Sequence, residues 1–200
     1  YKWGADVSEE ISVKERIIDV SLKLFYEKGY DNTTVDEIIQ ACGISKGGFY
    51  HYFQTKGDLL SSLSYMFDSQ YEKALKKMDS KMNSFEKLIY LSRYLFCYIE
   101  ERVPVDILSL VYSTQVIKKG EKHLLNQNRV YYKTLNTIIK EGQKNGVIIR
   151  EKSLGELTKL YAMQERAVLY DWCICEGSYP LSSYGIDMLK FFLKNIKGNG

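Results

Sequence analysis

Residues 33–60 read TTVDEIIQACGISKGGFYHYFQTKGDLL and carry the signals for two short helices joined by a tight turn. Thr34 is followed three residues later by Glu37, ahead of apolar residues at helical spacing, which is the capping-box pattern of a helix start. Gly43 supplies the backbone freedom that a sharp turn needs. Ser45 is a good N-cap for the second helix. Two short helices joined in this way form a helix-turn-helix, whose second helix enters the major groove of DNA.

The second predicted helix carries residues that suit contact with nucleic acid. Lys46, Gly47 and Gly48 occupy its first turn, where unpaired backbone N–H groups favour an anion such as phosphate. Each glycine costs roughly 1 kcal/mol relative to alanine inside a helix, so the pair suggests a backbone that must approach another surface closely. The polar residues after them are Tyr50, His51, Tyr52, Thr55 and Lys56. Spacing alone leaves one alternative open, a buried helical hairpin whose glycines only permit close packing.

The same stretch carries T-T-V at 33–35, C-G-I-S-K-G at 42–47, F-Y-H-Y-F at 49–53 and T-K at 55–56. In order and spacing these residues resemble the N-terminal signature of the tetracycline-repressor (TetR) family, over about residues 12–60. The resemblance implies a dimeric, all-helical, ligand-responsive transcription factor that binds double-stranded DNA. It implies DNA contacts at Thr33, Thr34, Lys46, Gly47, Tyr50, His51, Tyr52 and Lys56. Ser45 and Gly48 join this set from their place at the helix start.

Three residues depart from the family pattern. Ile39 and Cys42 stand where small alanines are common, which predicts a slightly altered packing between the two helices. Gly57 stands where an acidic residue is usual, and this affects the start of the next helix. None of the three removes a position that contacts DNA.

Composition and periodicity predict an all-α protein. The 200 residues are 45% hydrophobic, contain only two prolines and show helical periodicity. We expect about nine helices, divided between a three-helix DNA-binding head at residues 12–57 and an effector-binding and dimerisation bundle at 58–197. Four cysteines and the lack of a signal peptide indicate a reducing cytoplasm, and no apolar run approaches the ~18 residues of a membrane span. Residues 1–11 fit no helix pattern and are left out of this prediction.

The distribution of charge matters more than the total of +3. Residues 1–57 hold 7 Lys or Arg and 9 Asp or Glu, so the head as a whole is not basic. Between Cys42 and Gly57, however, the charged residues are two lysines with one histidine and no acid, which predicts a locally basic contact surface. The acids Asp19, Asp36 and Glu37 should then face away from DNA.

Caps and apolar spacing also place the other helices. Capping boxes at Ser12 and at Ser153 predict helices that run to about Lys28 and Cys175. The remaining predicted helices span about 55–79, 84–101, 104–116, 123–145 and 184–196. The segment 84–101 is apolar on nearly every side, which is typical of a helix buried in the middle of a bundle.

The last two long helices have more apolar surface than one packing face requires. Large apolar patches usually mark an interface, so we expect these helices to pair with their copies in a homodimer that binds a near-palindromic operator. The residues predicted for this interface are Met163, Ala167, Tyr170, Ile174, Met188 and Phe192. The alternative is that both faces belong to the internal core.

Seventeen tyrosines, many in the second half, suggest a pocket for a lipophilic or aromatic small-molecule effector. The residues predicted to line it are Phe67, Tyr71, Tyr94, Tyr98, Tyr112, Gln115, Tyr132, Tyr161 and Gln164. The function predicted is therefore a ligand-responsive transcriptional regulator, a repressor released from its operator by the effector. For each tyrosine taken singly, plain core packing is the alternative.

Other classes of function find less support. An enzyme is not expected, because the chain has two histidines and no nucleophile elbow, phosphate-binding loop, dinucleotide motif or zinc-protease motif. No cofactor or bound metal is predicted. The alternatives that stay open are a thiol- or metal-responsive sensor using Cys97, Cys173 and Cys175, and a non-regulatory DNA-binding protein with the same fold.

Overall fold

The structure is a computed structural model that describes residues 12–117 and 122–198, apart from the side chains of residues 61 and 63–65. Within these ranges it has nine α-helices and no β-strand, which confirms the all-α prediction. The helices are α1 (Val13–Lys28), α2 (Val35–Cys42), α3 (Lys46–Tyr52), α4 (Lys56–Lys77), α5 (Ser84–Arg102), α6 (Val105–Ile117), α7 (Val130–Lys144), α8 (Leu154–Ile174) and α9 (Ile186–Leu193). None of them is both long enough and apolar enough to cross a bilayer.

The chain divides into two compact units, and the division falls between Leu59 and Leu60 inside α4. The first unit contains α1, α2, α3 and the start of α4. The second unit contains the rest of α4 and all later helices. The residues predicted for a DNA-binding domain, 12–57, lie in the first unit.

Local caps define the helices of the first unit, as the sequence predicts. Ser12 forms a capping box with Glu15, and Thr34 forms one with Glu37. Ser45 Oγ accepts a hydrogen bond from the N–H of Gly48 at 3.1 Å. The buried apolar side chains of this unit are Ile17, Ile18, Leu22, Phe25, Ile38, Cys42, Phe49, Phe53 and Leu59. Gly43 takes a left-handed conformation with φ of 64°, which allows the tight turn between α2 and α3.

The start of α4 is fixed by a cap one residue beyond Gly57. The Asp58 carboxylate accepts hydrogen bonds from the N–H groups of Gln54 and Thr55, both at 2.9 Å. Thr55 Oγ1 in turn accepts from the N–H of Asp58 at 3.3 Å. Asp58 thus supplies the negative charge that favours a helix N-terminus, and α4 begins at Lys56.

In the second unit α5 is enclosed by other elements, in keeping with its apolar sequence. It packs against α7, α9 and the turn that precedes α9. α8 packs against α6, α7 and α9 on its buried side. Asn83, which the sequence prediction did not single out, begins α5 through a capping box with Glu86.

The prediction of one helix over residues 123–145 is wrong for the first third of that range. The structure has a single 3₁₀ turn at His123–Leu125, and α7 starts only at Val130. The cause is local, because Asn126 Oδ1 accepts a hydrogen bond from the N–H of Asn128 at 2.9 Å. Such side-chain bonds to the backbone favour turns over helix.

A buried ion pair fixes the start of α7 from a distant part of the chain. Asp68 on α4 receives two hydrogen bonds from the Arg129 guanidinium, each at 3.0 Å. Asp68 Oδ1 also accepts from the backbone N–H of Tyr131 at 3.3 Å. Both charged residues are at most 8% exposed. Asp68 therefore serves as the missing cap of α7, which has no side-chain cap of its own at Arg129.

The final α-helix is shorter than the predicted 184–196, and a helical turn of another kind lies on either side of it. A π-helical turn at Leu181–Gly185 runs directly into α9, and a 3₁₀ turn at Lys194–Ile196 ends it. Glu100 on α5 accepts a hydrogen bond from the N–H of Ser182 at 2.9 Å, which satisfies a backbone donor of the first turn. A Cβ on Gly185 would lie 2.9 Å from Leu181 Cδ1 and 3.0 Å from a methyl of Val168, so this turn packs too closely for a larger residue.

Candidate functional site

The outer face of α3 is polar and exposed, whereas its inner face anchors the helix. Phe49 is 0% exposed and the nearby Phe53 is 1% exposed. On the opposite side Tyr50 and Tyr52 are 39% and 41% exposed. Lys46 and His51 are exposed as well. The short helix is thus held by two aromatic residues and presents amine, imidazole and hydroxyl groups to solvent.

The two glycines of α3 have no close packing contact among the residues that the structure describes. A Cβ on Gly47 would meet only Ser45 Oγ, at 4.0 Å. A Cβ on Gly48 would meet Ser45 Oγ at 3.4 Å and Ile44 Cβ at 3.8 Å, which is ordinary contact. The buried-hairpin alternative required these glycines to permit close helix packing. The structure contradicts it and leaves the open face of α3 as the place where their small size matters.

The expectation that Asp36 faces away from the contact surface is wrong. Its carboxylate lies 3.2 Å from Lys46 Nζ, with both side chains largely exposed. Exposed pairs of this kind contribute little to stability, so Lys46 can exchange Asp36 for a phosphate at small cost. Glu37 instead points to Lys28 at 2.6 Å. The hydrogen bond from Lys28, together with those at the helix cap, lowers the pKa of Glu37 to about 2.

Three of the residues predicted to contact DNA have structural partners in the head. Thr33 is 1% exposed, and its hydroxyl donates to the carbonyl of Gly29 at 2.9 Å. Lys56 Nζ donates to the carbonyls of Tyr30 and Thr33, at 2.7 and 3.0 Å. Thr34 is exposed but occupied as the cap of α2. The Thr33 side chain is too buried to touch DNA, and we leave it out of the proposed contact surface.

Two adjoining cavities lie in the second unit. The outer cavity, of about 360 Å³, is bounded by α6, residues 122–125 and α8. The inner cavity, of about 40 Å³, lies against α4, α7 and α8. Tyr112, Leu124 and Arg166 line both, so they form the shared wall. The remaining lining of the outer cavity is Gln115, Val116, Lys122, Leu125, Ala167 and Tyr170.

The inner cavity contains a buried carboxyl group. Glu165 is 4% exposed and accepts hydrogen bonds from the hydroxyls of Ser92 and Tyr71. Burial raises the pKa of Glu165. The hydroxyl of Tyr131 is also buried beside this cavity, and its interaction with the Glu165 carboxyl group lowers the pKa of Glu165, which opposes the effect of burial.

The predicted effector residues divide between these cavities and the core. Tyr112 and Gln115 line the outer cavity, and Phe67, Tyr71 and Tyr112 line the inner one. The others line neither cavity, and the hydroxyls of Tyr98, Tyr132 and Tyr161 have internal partners. Tyr161 donates to the carbonyl of Leu88, Tyr132 to that of Leu124, and Tyr98 contacts Met66 Sδ. Tyr94 packs against Tyr90, and Gln164 is half-buried on α8.

Sequence reasoning missed Glu165, although a signal for it exists. Glu165 lies four residues after Tyr161 and four before Leu169, and these two residues are buried on the inner face of α8. An acidic residue at that spacing marks a buried carboxyl group. Leu124, Tyr131 and Arg166 carried no such signal, because their place beside the cavity depends on contacts between distant segments.

With this geometry in place, comparison with known proteins identifies the head. Residues 17–63 match the family of bacterial regulatory proteins, tetR family. The chain is 29% identical over 139 residues to the HTH-type transcriptional regulator QacR of Staphylococcus aureus, which covers 68% of this chain and 73% of that protein. The chain belongs to the TetR family. It is a DNA-binding transcriptional regulator, and α2 and α3 are its helix-turn-helix.

Further relatives of this TetR-family chain are regulators too. It is 27% identical over 116 residues to IcaR of Staphylococcus epidermidis, a negative transcriptional regulator of a biofilm operon, covering 58% of this chain and 62% of that protein. Two Bacillus subtilis regulators align over only 26% and 38% of their own length. The fold resembles FadR of Bacillus subtilis, solved with stearoyl-CoA, with a TM-score of 0.70, 21% identity and coverage of 90% of this chain and 98% of that one.

Most of the residues predicted for a dimer interface are exposed in this TetR-family chain. Met163, Tyr170 and Ile174 on α8 are 50%, 53% and 62% exposed, and Ala167 is exposed beside them. On α9, Met188 is 41% exposed, but Phe192 is half-buried against the core and Phe191 is 70% exposed. The difference follows from helical spacing, because Phe192 lies three residues after the buried Leu189 and so turns inward.

The cysteines of this TetR-family chain do not form a visible sensor site. Across the described residues, no three His, Cys, Asp or Glu side chains lie close enough together to hold a metal ion. Burial raises the pKa of the Cys173 thiol, which lowers its reactivity at neutral pH. Cys175 Sγ lies 3.9 Å from the Asp171 carboxylate.

Proposed function

We propose that this chain is a ligand-responsive repressor, which binds a near-palindromic operator in the cytoplasm as a homodimer and is released by a lipophilic or aromatic effector. The observation that carries the proposal is the exposed polar face of α3 over a buried aromatic anchor. The description of IcaR as a negative regulator supports repression rather than activation.

DNA recognition would use the outer face of α3. Lys46 would contact phosphate, while Tyr50, His51 and Tyr52 would contribute hydrogen bonds to phosphates and base edges. The small Gly47 and Gly48 would let the backbone of the first turn approach the duplex. Ser45 and Lys56 lie at the edge of this surface.

The change Lys46→Ala tests this assignment. We expect operator affinity to fall about tenfold, because one charge-assisted phosphate contact is lost. The slope of log affinity against log salt should fall in magnitude by about 1 for the same reason. A mobility-shift assay with the chain's own promoter region, repeated at several salt concentrations, measures both quantities.

The matched control is Lys133→Ala, which removes an exposed lysine from α7 in the second unit. Its affinity and salt slope should equal those of the unchanged protein. If Lys46→Ala and Lys133→Ala gave the same binding curves, α3 would not be the DNA-contacting helix.

Dimerisation would bury the exposed apolar face formed by Met163, Ala167, Tyr170 and Ile174 on α8 with Met188 on α9. Apolar faces of this extent are typical of interfaces. A two-fold dimer would present two copies of α3 to half-sites about one DNA turn apart, roughly 34–36 Å or more. Together these points favour a palindromic operator.

The change Ile174→Glu should turn the dimer into a monomer at micromolar concentration, because a charge would be buried without a partner. Light scattering measures the mass. Tyr26→Glu, at a residue that is 73% exposed on α1, is the control and should leave the mass unchanged. A monomeric mass for the unaltered chain would rule out the proposed dimer.

The effector would bind in the outer cavity. Its volume of about 360 Å³ lies within the usual range for small-molecule sites, roughly 300–1,000 Å³. FadR, which shares the fold, was solved in complex with stearoyl-CoA, and this supports a small-molecule effector for the present chain. Ala167 and Tyr170 line the outer cavity and also belong to the proposed dimer face. A ligand there could favour one arrangement of the dimer over another by population shift.

The helix α4 is the proposed route from ligand to DNA. It starts in the first unit at Lys56 and carries Phe67 and Tyr71, which line the inner cavity. Screening a diverse compound collection for release of operator DNA tests the effector proposal. A screen that returned only small polar compounds would contradict it.

A further inference from the structure

An acidic side chain lies beside the first residue of the recognition helix α3. The carboxylate of Asp36, in the first turn of α2, is 3.2 Å from Lys46 Nζ. The Asp36 side chain is 77% exposed and the Lys46 side chain 66%, so both charged groups face solvent. An exposed pair of this kind adds little to the stability of the fold. Stability therefore does not explain why an acid stands on this surface.

Two other acids of the first unit have structural tasks. The Glu37 carboxylate accepts hydrogen bonds from the N–H of Thr34 at 2.8 Å and from Lys28 Nζ at 2.6 Å. Asp58 caps the start of α4. Because Glu37 already provides the capping box of α2, the start of that helix does not depend on Asp36.

The place of Asp36 relative to DNA follows from the geometry of a helix-turn-helix. In this motif the N-terminal residues of the second helix face the base edges, and the first helix crosses the phosphate backbone. Lys46 is the first residue of α3, and its amino group lies next to the Asp36 carboxylate. With α3 docked in the major groove, that carboxylate would lie at the rim of the groove.

A carboxylate in this place opposes binding to DNA of any sequence. When Lys46 turns to a phosphate, the Asp36 carboxylate stays close to phosphates of the same charge. Between exposed charges such a repulsion changes affinity by a small factor, about threefold. Since the phosphates are the same in every duplex, this repulsion weakens non-specific binding.

One base offers a contact that compensates for the repulsion. In the major groove cytosine presents its N4 amino group as a donor, and an Asp carboxylate can accept a hydrogen bond from it. Guanine and thymine present acceptors at the same edge, which repel a carboxylate. Adenine has an amino group as well, but the acceptor N7 lies beside it. A carboxylate at the rim of the groove therefore favours cytosine.

We propose that Asp36 is a specificity-determining residue, which weakens binding to DNA at large and reads one cytosine in each half-site of the operator. This inference rests on the proposed DNA-contacting face of α3 and adds a base preference to it. Lys46 contacts a phosphate, while the Asp36 carboxylate accepts a hydrogen bond from the cytosine N4 amino group.

The first experiment selects binding sites from a random duplex library, with the full chain and with Asp36→Ala. We expect the motif of the unaltered chain to hold a cytosine in each half-site, and Asp36→Ala to accept any base there while it keeps the other positions. Asp36→Asn should move the preference at that position towards adenine, because an amide pairs with adenine N6 and N7. Identical motifs for the unaltered chain and Asp36→Ala would overturn the proposal.

The second experiment measures affinities by mobility shift for the selected operator and for a scrambled duplex of equal length. Asp36→Ala should bind the scrambled duplex about threefold more tightly, because one charge near the phosphates is removed. It should bind the operator about threefold more weakly, because the lost cytosine contact, worth about tenfold, exceeds that gain. The ratio of the two affinities should then fall about tenfold. An equal change for both duplexes would show that Asp36 does not discriminate between sequences.

Glu27→Ala is the matched control. Glu27 is an exposed acid of the same unit, and its carboxylate lies 4.0 Å from Lys23 Nζ on α1. The change thus removes one negative charge from an exposed pair, as Asp36→Ala does, but away from α3. Its selected motif and both of its affinities should equal those of the unaltered chain.

The variant Lys46→Ala separates direct reading of the base from an effect of Asp36 on Lys46. The cytosine should remain in the motif that Lys46→Ala selects and disappear when Asp36→Ala is added. Its loss in Lys46→Ala alone would mean that Asp36 acts only through Lys46, and the proposed base contact would be wrong. Whether α3 contacts DNA at all is decided separately, by the affinity and salt slope of Lys46→Ala against those of Lys133→Ala.

Discussion

Replacing Asp68 with alanine is expected to lower the free energy of unfolding of the second unit by about 3–5 kcal/mol. The change leaves the Arg129 guanidinium buried without its counter-charge, and Arg129 is only 8% exposed. It also removes the acceptor that caps α7 at the N–H of Tyr131. Urea unfolding followed by the fluorescence of Trp172, which is 5% exposed in the second unit, measures the loss.

Two further variants distinguish the net contribution of the Asp68–Arg129 ion pair from the cost of leaving one charge buried without a partner. The double change Asp68→Leu with Arg129→Met should be less destabilising than Asp68→Ala alone, because no buried charge is left unpaired. Asp187→Ala breaks the exposed pair with Lys190 on α9 and should cost less than about 1 kcal/mol. An Asp68→Ala protein as stable as the Asp187→Ala protein would show that the buried pair contributes nothing.

Replacing Phe49 with alanine should cost about 3–5 kcal/mol in the first unit, as for other large-to-small changes of buried phenylalanine. Phe49 is 0% exposed and its ring lies 5.8 Å from that of Phe53. α3 has only seven residues, so it cannot persist without this anchor. We expect operator binding to be abolished in the mobility-shift assay, with an early unfolding step in circular dichroism.

The unfolding transition followed by Trp172 fluorescence should remain unchanged in Phe49→Ala, because Trp172 reports on the second unit. The control Tyr26→Ala, at a 73% exposed position on α1, should alter stability by less than about 0.5 kcal/mol. Tight operator binding by Phe49→Ala would contradict the view that α3 is held in place by its aromatic side.

The features that the sequence predicted well are those encoded by near neighbours. Capping boxes at Ser12, Thr34 and Ser153 involve residues three apart, and all three are present. The polar outer face of α3 follows from the spacing of Phe49 and Phe53. These signals depend on local backbone geometry, which sequence patterns capture directly.

The features that the sequence did not reveal depend on distant partners. α7 begins at Val130 because an Asn turn precedes it and Asp68 of α4 caps it, and the second cause has no local signature. Thr33 faces inward because the carbonyl of Gly29 accepts from its hydroxyl. Tyr132 and Tyr161 belong to the core rather than to the cavities for the same reason, since their hydroxyls find internal carbonyls.

Because Asp68 of α4 caps α7, the structure also limits how this protein can be re-engineered. Chimaeras that read a new operator would keep residues from Asp68 onward and receive a foreign head upstream. Each residue added to or lost from α4 rotates the downstream part of the helix by about 100°, so a graft out of register would either misdirect the head or pull Asp68 from Arg129. We expect productive fusions to preserve the length of α4, and insertions of one or two residues to abolish the proposed control by ligand.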